Sequence, residues 1–273
     1  MKPLISVVIP VYNGEQTIIE TLSSVLKQTY NCIEVIIVDD GSDNPADAVI
    51  YPLMDDKRIR ILRIERSNAN VARNYGIDES RGEFIAMLDA DDYWLENHLL
   101  DCMKLLQLTN MDGLYGSIFL RHNRSEDIRH LPVFIARELW EGETMLDYLL
   151  TTGYGAQTST LFTTARSMKE IRWNPTLIDH QDYDFVVRFS KKYRMVAKKE
   201  PTVAYYLSSG RPTHYETCIR FVEDNIKDIN PGIYTQYNLM MYRRAKQTKE
   251  SEKIAAYFLQ ETKRYKNCLS YLL

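Results

Sequence analysis

The chain has 273 residues, 45% of them hydrophobic and 26% charged, and a formal net charge of −3. That length buries a sizeable core, as one large domain or one domain with an appendage. No apolar run approaches the roughly 20 residues that span a bilayer, and no basic stripe crosses the body, which argues against a membrane-spanning protein and against nucleic acid as the main partner.

In chain order, Leu4 to Ile9 is a β-branched run that stops at Pro10 and reads as a strand. It is too short for a signal-peptide core. Residues 15–28 carry Ile18, Ile19, Leu22, Val25 and Leu26 on one helical face, with Asn13 in the N-cap place. Ile33 to Val38 is a second strand, ending at Asp39-Asp40-Gly41-Ser42. Ile59 to Ile64 is a third, Asn68 to Glu79 a helix, and Phe84 to Leu88 a fourth strand. Strands this apolar are buried on both faces, as in a parallel sheet flanked by helices, so the reading is α/β, doubly wound.

Further along, Gly113 to Leu120 and Thr158 to Thr164 read as strands, with a polar linker from Arg121 to His130 between them. Met195 to Lys198 and Thr202 to Tyr206 read as two short strands around Pro201. Beyond residue 215 the pattern is helical, with Cys218, Ile219, Val222, Ile226 and Ile229 on one face and Ile254, Phe258, Tyr265, Leu269 and Leu272 on another. Pro231-Gly232 breaks the helices between them. Cys32, Cys102, Cys218 and Cys268 are scattered without a CxxC, as reduced thiols of a cytosolic protein would be.

The chemistry concentrates where strands end. Asp89, Asp91 and Asp92 crowd the end of the fourth strand, where three carboxylates repel one another and are costly to bury unpaired. A hard divalent cation relieves that, with coordination places left for substrate phosphates. The plain alternative is a solvated turn with an Asp cap before Trp94. Pro10, Asp39, Asp40, Asp89 and Asp91 all fall at carboxyl ends of strands, the rim where open α/β sheets bind ligands. For Asp39 and Asp40 an Asx turn before Gly41 is about as good a reading. Gly153-Tyr154-Gly155 lacks a third glycine and a strand–helix setting, so it reads as a flexible loop ahead of Gln157 and not as a dinucleotide site.

Five motifs carry a family likeness: Ile-Ser-Val-Val-Ile-Pro-Val-Tyr-Asn-Gly from residue 5, Val-Asp-Asp-Gly-Ser ending at 42, Asn-Val-Ala-Arg-Asn-Tyr-Gly at 70–76, Leu-Asp-Ala-Asp-Asp at 88–92, and Gln-Asp-Tyr-Asp-Phe at 181–185. In this order and spacing, over about residues 4–206, the chain resembles family 2 glycosyltransferases. The resemblance implies a GT-A fold, a Rossmann-like, mostly parallel sheet flanked by helices. It implies a catalytic domain over 1–210, with 1–120 binding the nucleotide and 121–210 the acceptor, followed by a helical extension over 211–273. The implied reaction is inverting transfer from a nucleotide sugar, a UDP-sugar foremost, to a hydroxyl of a saccharide or lipid-linked acceptor in polysaccharide or glycan assembly.

By the same resemblance, Asp40 would accept the imide N–H of a uracil-like base and Asp39 would support it. Pro10, Val11 and Tyr12 would line the base pocket, and Arg73 would lie beside base or phosphates. Asp89 and Ala90 would sit near the ribose, and Asp91 would ligate Mn²⁺ or Mg²⁺ across the diphosphate. Asp182 would be the general base on the acceptor hydroxyl. A carboxylate at a helix start is favoured as an anion. Asp184 reads instead as a cap paired with Arg188 at i+4.

Two departures bear on the acceptor. Gln181 stands where the family usually has Glu, and Tyr206-Leu207-Ser208-Ser209 stands where an Arg-x-His pattern is usual, with His214 a nearby substitute. Two other readings stay open: a haloacid-dehalogenase-type phosphohydrolase using the Asp89/Asp91 motif, and a non-catalytic sugar-nucleotide binder.

Residues 240–273 carry eight Lys or Arg against three Glu, which leaves the remainder at about −8. This basic tail would suit a cytoplasmic enzyme touching the inner membrane face. A solvated helix face, packing on the catalytic domain or a dimer contact is the plainer explanation.

Overall fold

A chain segment buried on both faces must satisfy its backbone in a sheet interior, and residues 5–11 do so. The computed structural model describes residues 2–53, 55–207, 212–248 and 252–264. Ser208, Ser209, Tyr265, Cys268, Leu269 and Leu272, named above, lie outside them. The elements in order are β1 (Ile5–Val11), α1 (Ile18–Leu26), β2 (Ile33–Asp39), α2 (Ala46–Ile50), β3 (Ile59–Arg63), α3 (Ala69–Glu79), β4 (Phe84–Met87), β5 (Tyr93–Trp94), α4 (His98–Thr109), β6 (Gly113–Arg121) and β7 (Val133–Phe134). They continue with α5 (Met145–Thr152), β8 (Phe162–Thr164), α6 (Ala165–Ile171), α7 (Gln181–Ser190), β9 (Met195–Tyr206), α8 (Tyr215–Asp224), α9 (Pro231–Gln247) and α10 (Glu252–Glu261). The described residues fall into two compact units, 1–138 with 154–212 and 139–153 with 213–273.

The first unit holds one sheet in the order β3-β2-β1-β4-β8-β6-β9-β5, with β7 on β6. Its β3-β2-β1-β4 half is wholly parallel, as the apolar strands predict. The other half is mixed, because β8 runs antiparallel to both β4 and β6 while β6 and β9 are parallel. Every residue of β1 and β2 is buried. Their register pairs Pro10 with Val38 and Val11 with Asp39, and Leu88 N donates to Val8 O at 3.1 Å, so three strand ends finish side by side.

Where local structure departs from the sequence reading, side-chain chemistry explains it. Helix α1 begins at Ile18, and Asn13 does not cap it. With φ at 47°, Asn13 accepts from the Asp43 amide at 2.9 Å and donates to the Asp43 carboxylate at 3.0 Å, tying the β1 loop to the β2 loop. Thr158–Thr160 is a 3₁₀ turn and not strand, because the Gln157 carbonyl captures both the amide and the hydroxyl of Thr160 at 2.8 Å. The two strands expected around Pro201 are one, β9, whose register against β6 shifts between Gly116 and Ile118. A proline is tolerated at such an irregularity. Asn68, by contrast, caps α3 as a helix start should, accepting from the amides of Asn70 and Val71.

Helix α3 lies close on the sheet at Gly76, where an added Cβ would come within 2.5 Å of Val8 Cγ1 and 3.1 Å of Val38 Cγ2. Gly76→Ala should therefore destabilise the unit by about 1–2 kcal/mol, overpacking outweighing the helix-propensity gain. A lower denaturation midpoint at unchanged slope would establish this.

The second unit consists of helices α5, α8, α9 and α10. It buries Tyr148 and Leu149 of α5, Tyr215 and Phe221 of α8, Tyr234, Tyr237 and Met241 of α9, and Phe258 of α10. The Tyr215 and Phe258 rings meet edge-on at 5.9 Å, and the Asn230 amide donates to Asp147 at 2.9 Å. Gly153 adopts φ 71° to end α5, which is the conformational reason for a glycine there. His214 sits in this unit, ahead of α8. No helix among the described residues is long and apolar enough to cross a membrane. Cys102 and Cys218 are buried and Cys32 is half-buried.

Candidate active site

The finished ends of β1, β2 and β4 present Tyr12, Asp40 and Asp89 on one rim. Pro10 and Val11 are buried strand residues beneath it, and Tyr12 is the first exposed side chain, at 44%. Asp39 and Asp40, adjacent in sequence, do different work. Asp39 accepts from the amides of Ser42 at 2.8 Å and Ala46 at 2.9 Å and from Arg63 at 3.1 Å, so it builds the β2 loop as an Asx turn. Burial alone would raise its carboxyl, but those amides, the Ser42 hydroxyl and Arg63 outweigh it and hold the pKa below the usual range. Asp40 accepts from the amide of Ser67 at 2.8 Å and its hydroxyl at 2.7 Å, and from Arg66. A surface cavity of about 430 Å³ lies beside Asp39, Pro45, Asp47, Ile61 and Arg63; Asp40, Asp89 and Asp182 are not in its walls.

The β4 end is a pinned turn. The Thr21 hydroxyl lies 3.0 Å from the Ala90 carbonyl and 2.8 Å from that of Asp92, and Arg124 donates to the Asp91 carbonyl at 3.0 Å. The three carboxylates do not act as one cluster. Asp92 is fully buried and accepts from the Ser159 hydroxyl at 2.5 Å and the Tyr206 amide at 2.8 Å. Burial, with Asp91 and Asp89 nearby, drives its pKa well up, and its two hydrogen bonds fasten the turn to Ser159 and Tyr206. Asp89 accepts from Arg73 at 2.7 Å. Among the described residues no group of three or more His, Cys, Asp or Glu forms a metal cage. Asp91, half-buried on the same turn, brings one carboxylate to it. One carboxylate with substrate phosphates is an ordinary donor set for Mg²⁺, so these residues fit the ion.

Arg73 joins the rim to α7. It is buried on α3 and donates to Asn70 at 2.8 Å, Gln181 at 3.0 Å and Asp89, with its guanidinium 4.6 Å from the Trp173 ring centroid. Gln181 thus presents a neutral acceptor to a cation already paired with Asp89. Next to it, Asp182 opens α7 and accepts from the Tyr183 amide at 3.0 Å. Burial pushes its carboxyl up to about 6, with Asp89 adding to the rise and the Tyr183 amide and Arg73 opposing it. Asp184 pairs with Arg188 at 2.6 Å, as its i+4 spacing implies, and holds α7 to the end of α6 through the Arg188 bonds to Ile171 and Arg172 carbonyls.

Arg66, Thr21, Arg124 and Ser159 were not anticipated. Arg66 had one usable signal, its place just beyond the third strand's carboxyl end. The other three come from segments whose nearness only the folded chain shows.

The family model Glycosyl transferase family 2 matches residues 6–169. The amylovoran biosynthesis glycosyltransferase AmsB of Erwinia amylovora is 33% identical over 210 residues, 74% of this chain and 69% of that protein. The chain belongs to glycosyl transferase family 2. As a family 2 member it is a glycosyltransferase, and the phosphohydrolase reading is not favoured. A second relative, the UDP-Glc:α-D-GlcNAc-diphosphoundecaprenol β-1,3-glucosyltransferase WfgD of Escherichia coli, is 39% identical over 124 residues, 45% of this chain and about half, 48%, of that protein. The crystal structure of S. aureus TarS 1–349 in complex with UDP superposes with a TM-score of 0.61 at 19% identity, over 98% of this chain and 71% of that one, which identifies the family 2 fold here as GT-A.

Proposed function

We propose that this glycosyltransferase transfers a sugar from a UDP-sugar to a hydroxyl with inversion, in polysaccharide assembly on a lipid-linked saccharide at the cytoplasmic membrane face. The observation that carries the reading is the Arg73 bridge, which makes the strand-end carboxylate Asp89 and the α7 start beside Asp182 parts of one site. The UDP-bound TarS neighbour and the lipid-diphosphate acceptor named for WfgD support the donor and acceptor classes. In this reading residues 1–120 bind the nucleotide, residues 121–210 shape the acceptor side, and 211–273 form a helical extension.

Asp40 holds the base edge over the β1 end, where Pro10, Val11 and Tyr12 form the floor, and Asp39 keeps the Asp40 loop in shape. Asp89 and Ala90 lie at the ribose, with Arg73 fixing Asp89. Asp91 would hold Mn²⁺ or Mg²⁺. The cation, when bound, stabilises the charge growing on the departing diphosphate, which replaces the acid of a glycosidase. Asp182 accepts the proton of the attacking hydroxyl, and attack from the face opposite the diphosphate inverts the anomeric carbon.

Calorimetric titration of UDP, GDP, CDP and dTDP, with and without Mn²⁺, on the wild type and on Asp91→Asn tests this. UDP binding that strengthens with Mn²⁺ and falls about tenfold or more in the variant is expected. Binding indifferent to both metal and substitution would remove Asp91 from the site, and UDP binding without sugar transfer would favour a non-catalytic binder.

A further inference from the structure

Tyr12 is covered by a flat cation. The Arg66 guanidinium carbon lies 3.6 Å from the Tyr12 ring centroid, a separation typical of stacked planes, although the Arg66 side chain is 50% exposed and the Tyr12 residue 44%. The same guanidinium closes over Asp40. One oxygen of that carboxylate already accepts the Ser67 amide and hydroxyl, and Arg66 Nη1 donates to the other. With its side chain only 2% exposed, Asp40 offers nothing to an incoming ligand while Arg66 stays. The backbones run close here, a Cβ added at Gly41, at φ 72°, standing 2.8 Å from the Arg66 nitrogen, and the half-exposed Arg66 side chain is the part that can swing away.

Resting on the nucleotide reading above, we propose that Arg66 is a stand-in for the nucleobase. It fills the aromatic stack on Tyr12 and the hydrogen bond to Asp40, and a base enters by displacing it. Once uncovered, Asp40 selects among bases. Uracil and thymine carry an imide N–H that replaces the Arg66 donor at Asp40 and a ring that replaces its plane on Tyr12. Cytosine turns an unprotonated ring nitrogen toward the carboxylate, so it loses the bond Arg66 had made.

The test is titration of UDP and CDP, with Mn²⁺, into the wild type, Arg66→Ala and Arg66→Lys. Removing the competitor should tighten UDP and CDP alike, about fivefold in Arg66→Ala, the scale of one half-exposed ion pair and one cation–π contact, and leave the preference for UDP over CDP as Asp40 sets it. Arg66→Lys keeps the charge without the plane and should fall between. If the wild type binds UDP and Arg66→Ala binds it equally or more weakly, Arg66 is not a stand-in, although the nucleotide reading survives. If the wild type binds neither nucleotide, both fall together.

Discussion

Replacing Asp182 by Asn is expected to cut sugar transfer by about 10²-fold or more while leaving UDP affinity within about twofold. The carboxylate accepts from its own helix start at Tyr183, a bond the Asn carbonyl oxygen can also accept, so the fold has no reason to change. The sharper signature is pH. A base works only when ionised, and burial has pushed this carboxyl up to about 6. Turnover should therefore level off above about pH 7 and fall about tenfold per unit below pH 6, whereas an ordinary aspartate would sustain it to about pH 4. A pH–rate profile of wild type and variant decides the matter, because the residual rate of Asp182→Asn should lose that acid limb. An unchanged limb in the variant would assign it to another group.

Arg73→Met should cost about 3 kcal/mol of stability and lower the melting temperature by roughly 6–12 °C. Methionine fills much of the volume but leaves Asp89, Asn70 and Gln181 without their common donor. The substitution also tests the electrostatics around the base. Arg73 opposes the rise of the Asp182 pKa, so its loss should move the acid limb of the surviving activity to higher pH. Arg73→Lys keeps a charge but cannot span three acceptors with one fork, and should sit between wild type and Met in both readouts. A stability loss with no shift of the limb would make Arg73 a packing residue that does not act on Asp182.

Much of the first unit was legible because strand and helix periods leave a plain record. The apolar runs at β1, β2 and β4 and the helix from Asn68 each follow from local residues, and with them the rim that gathers Asp40 and Asp89. What sequence could not supply was the division of labour among identical side chains. Asp91 and Asp92 are neighbours of one chemical type, yet Ser159 and the Tyr206 amide, 67 and 114 residues downstream, make Asp92 a buried fastener. Asp39 and Asp40 separate in the same way, one turned into its own loop and one toward Ser67 and Arg66. Strand β8 was read with its start four residues early, and its antiparallel direction was hidden because a short strand carries no record of which way its neighbours run.

The second unit is assembled from two pieces of sequence, and this bears on the order of events at the ribosome. Helix α5 is complete at residue 152, while its partner α9 begins at Pro231. At roughly 5–20 residues per second, Met145, Tyr148 and Leu149 wait on the order of 4–16 s for the surface that will bury them. During that interval β8, α6, α7 and β9 are made and can close the sheet around the unfinished excursion. Until α9 is made, α5 lacks the helix it packs against, so the second unit can fold only after the sheet segments that interrupt it in sequence.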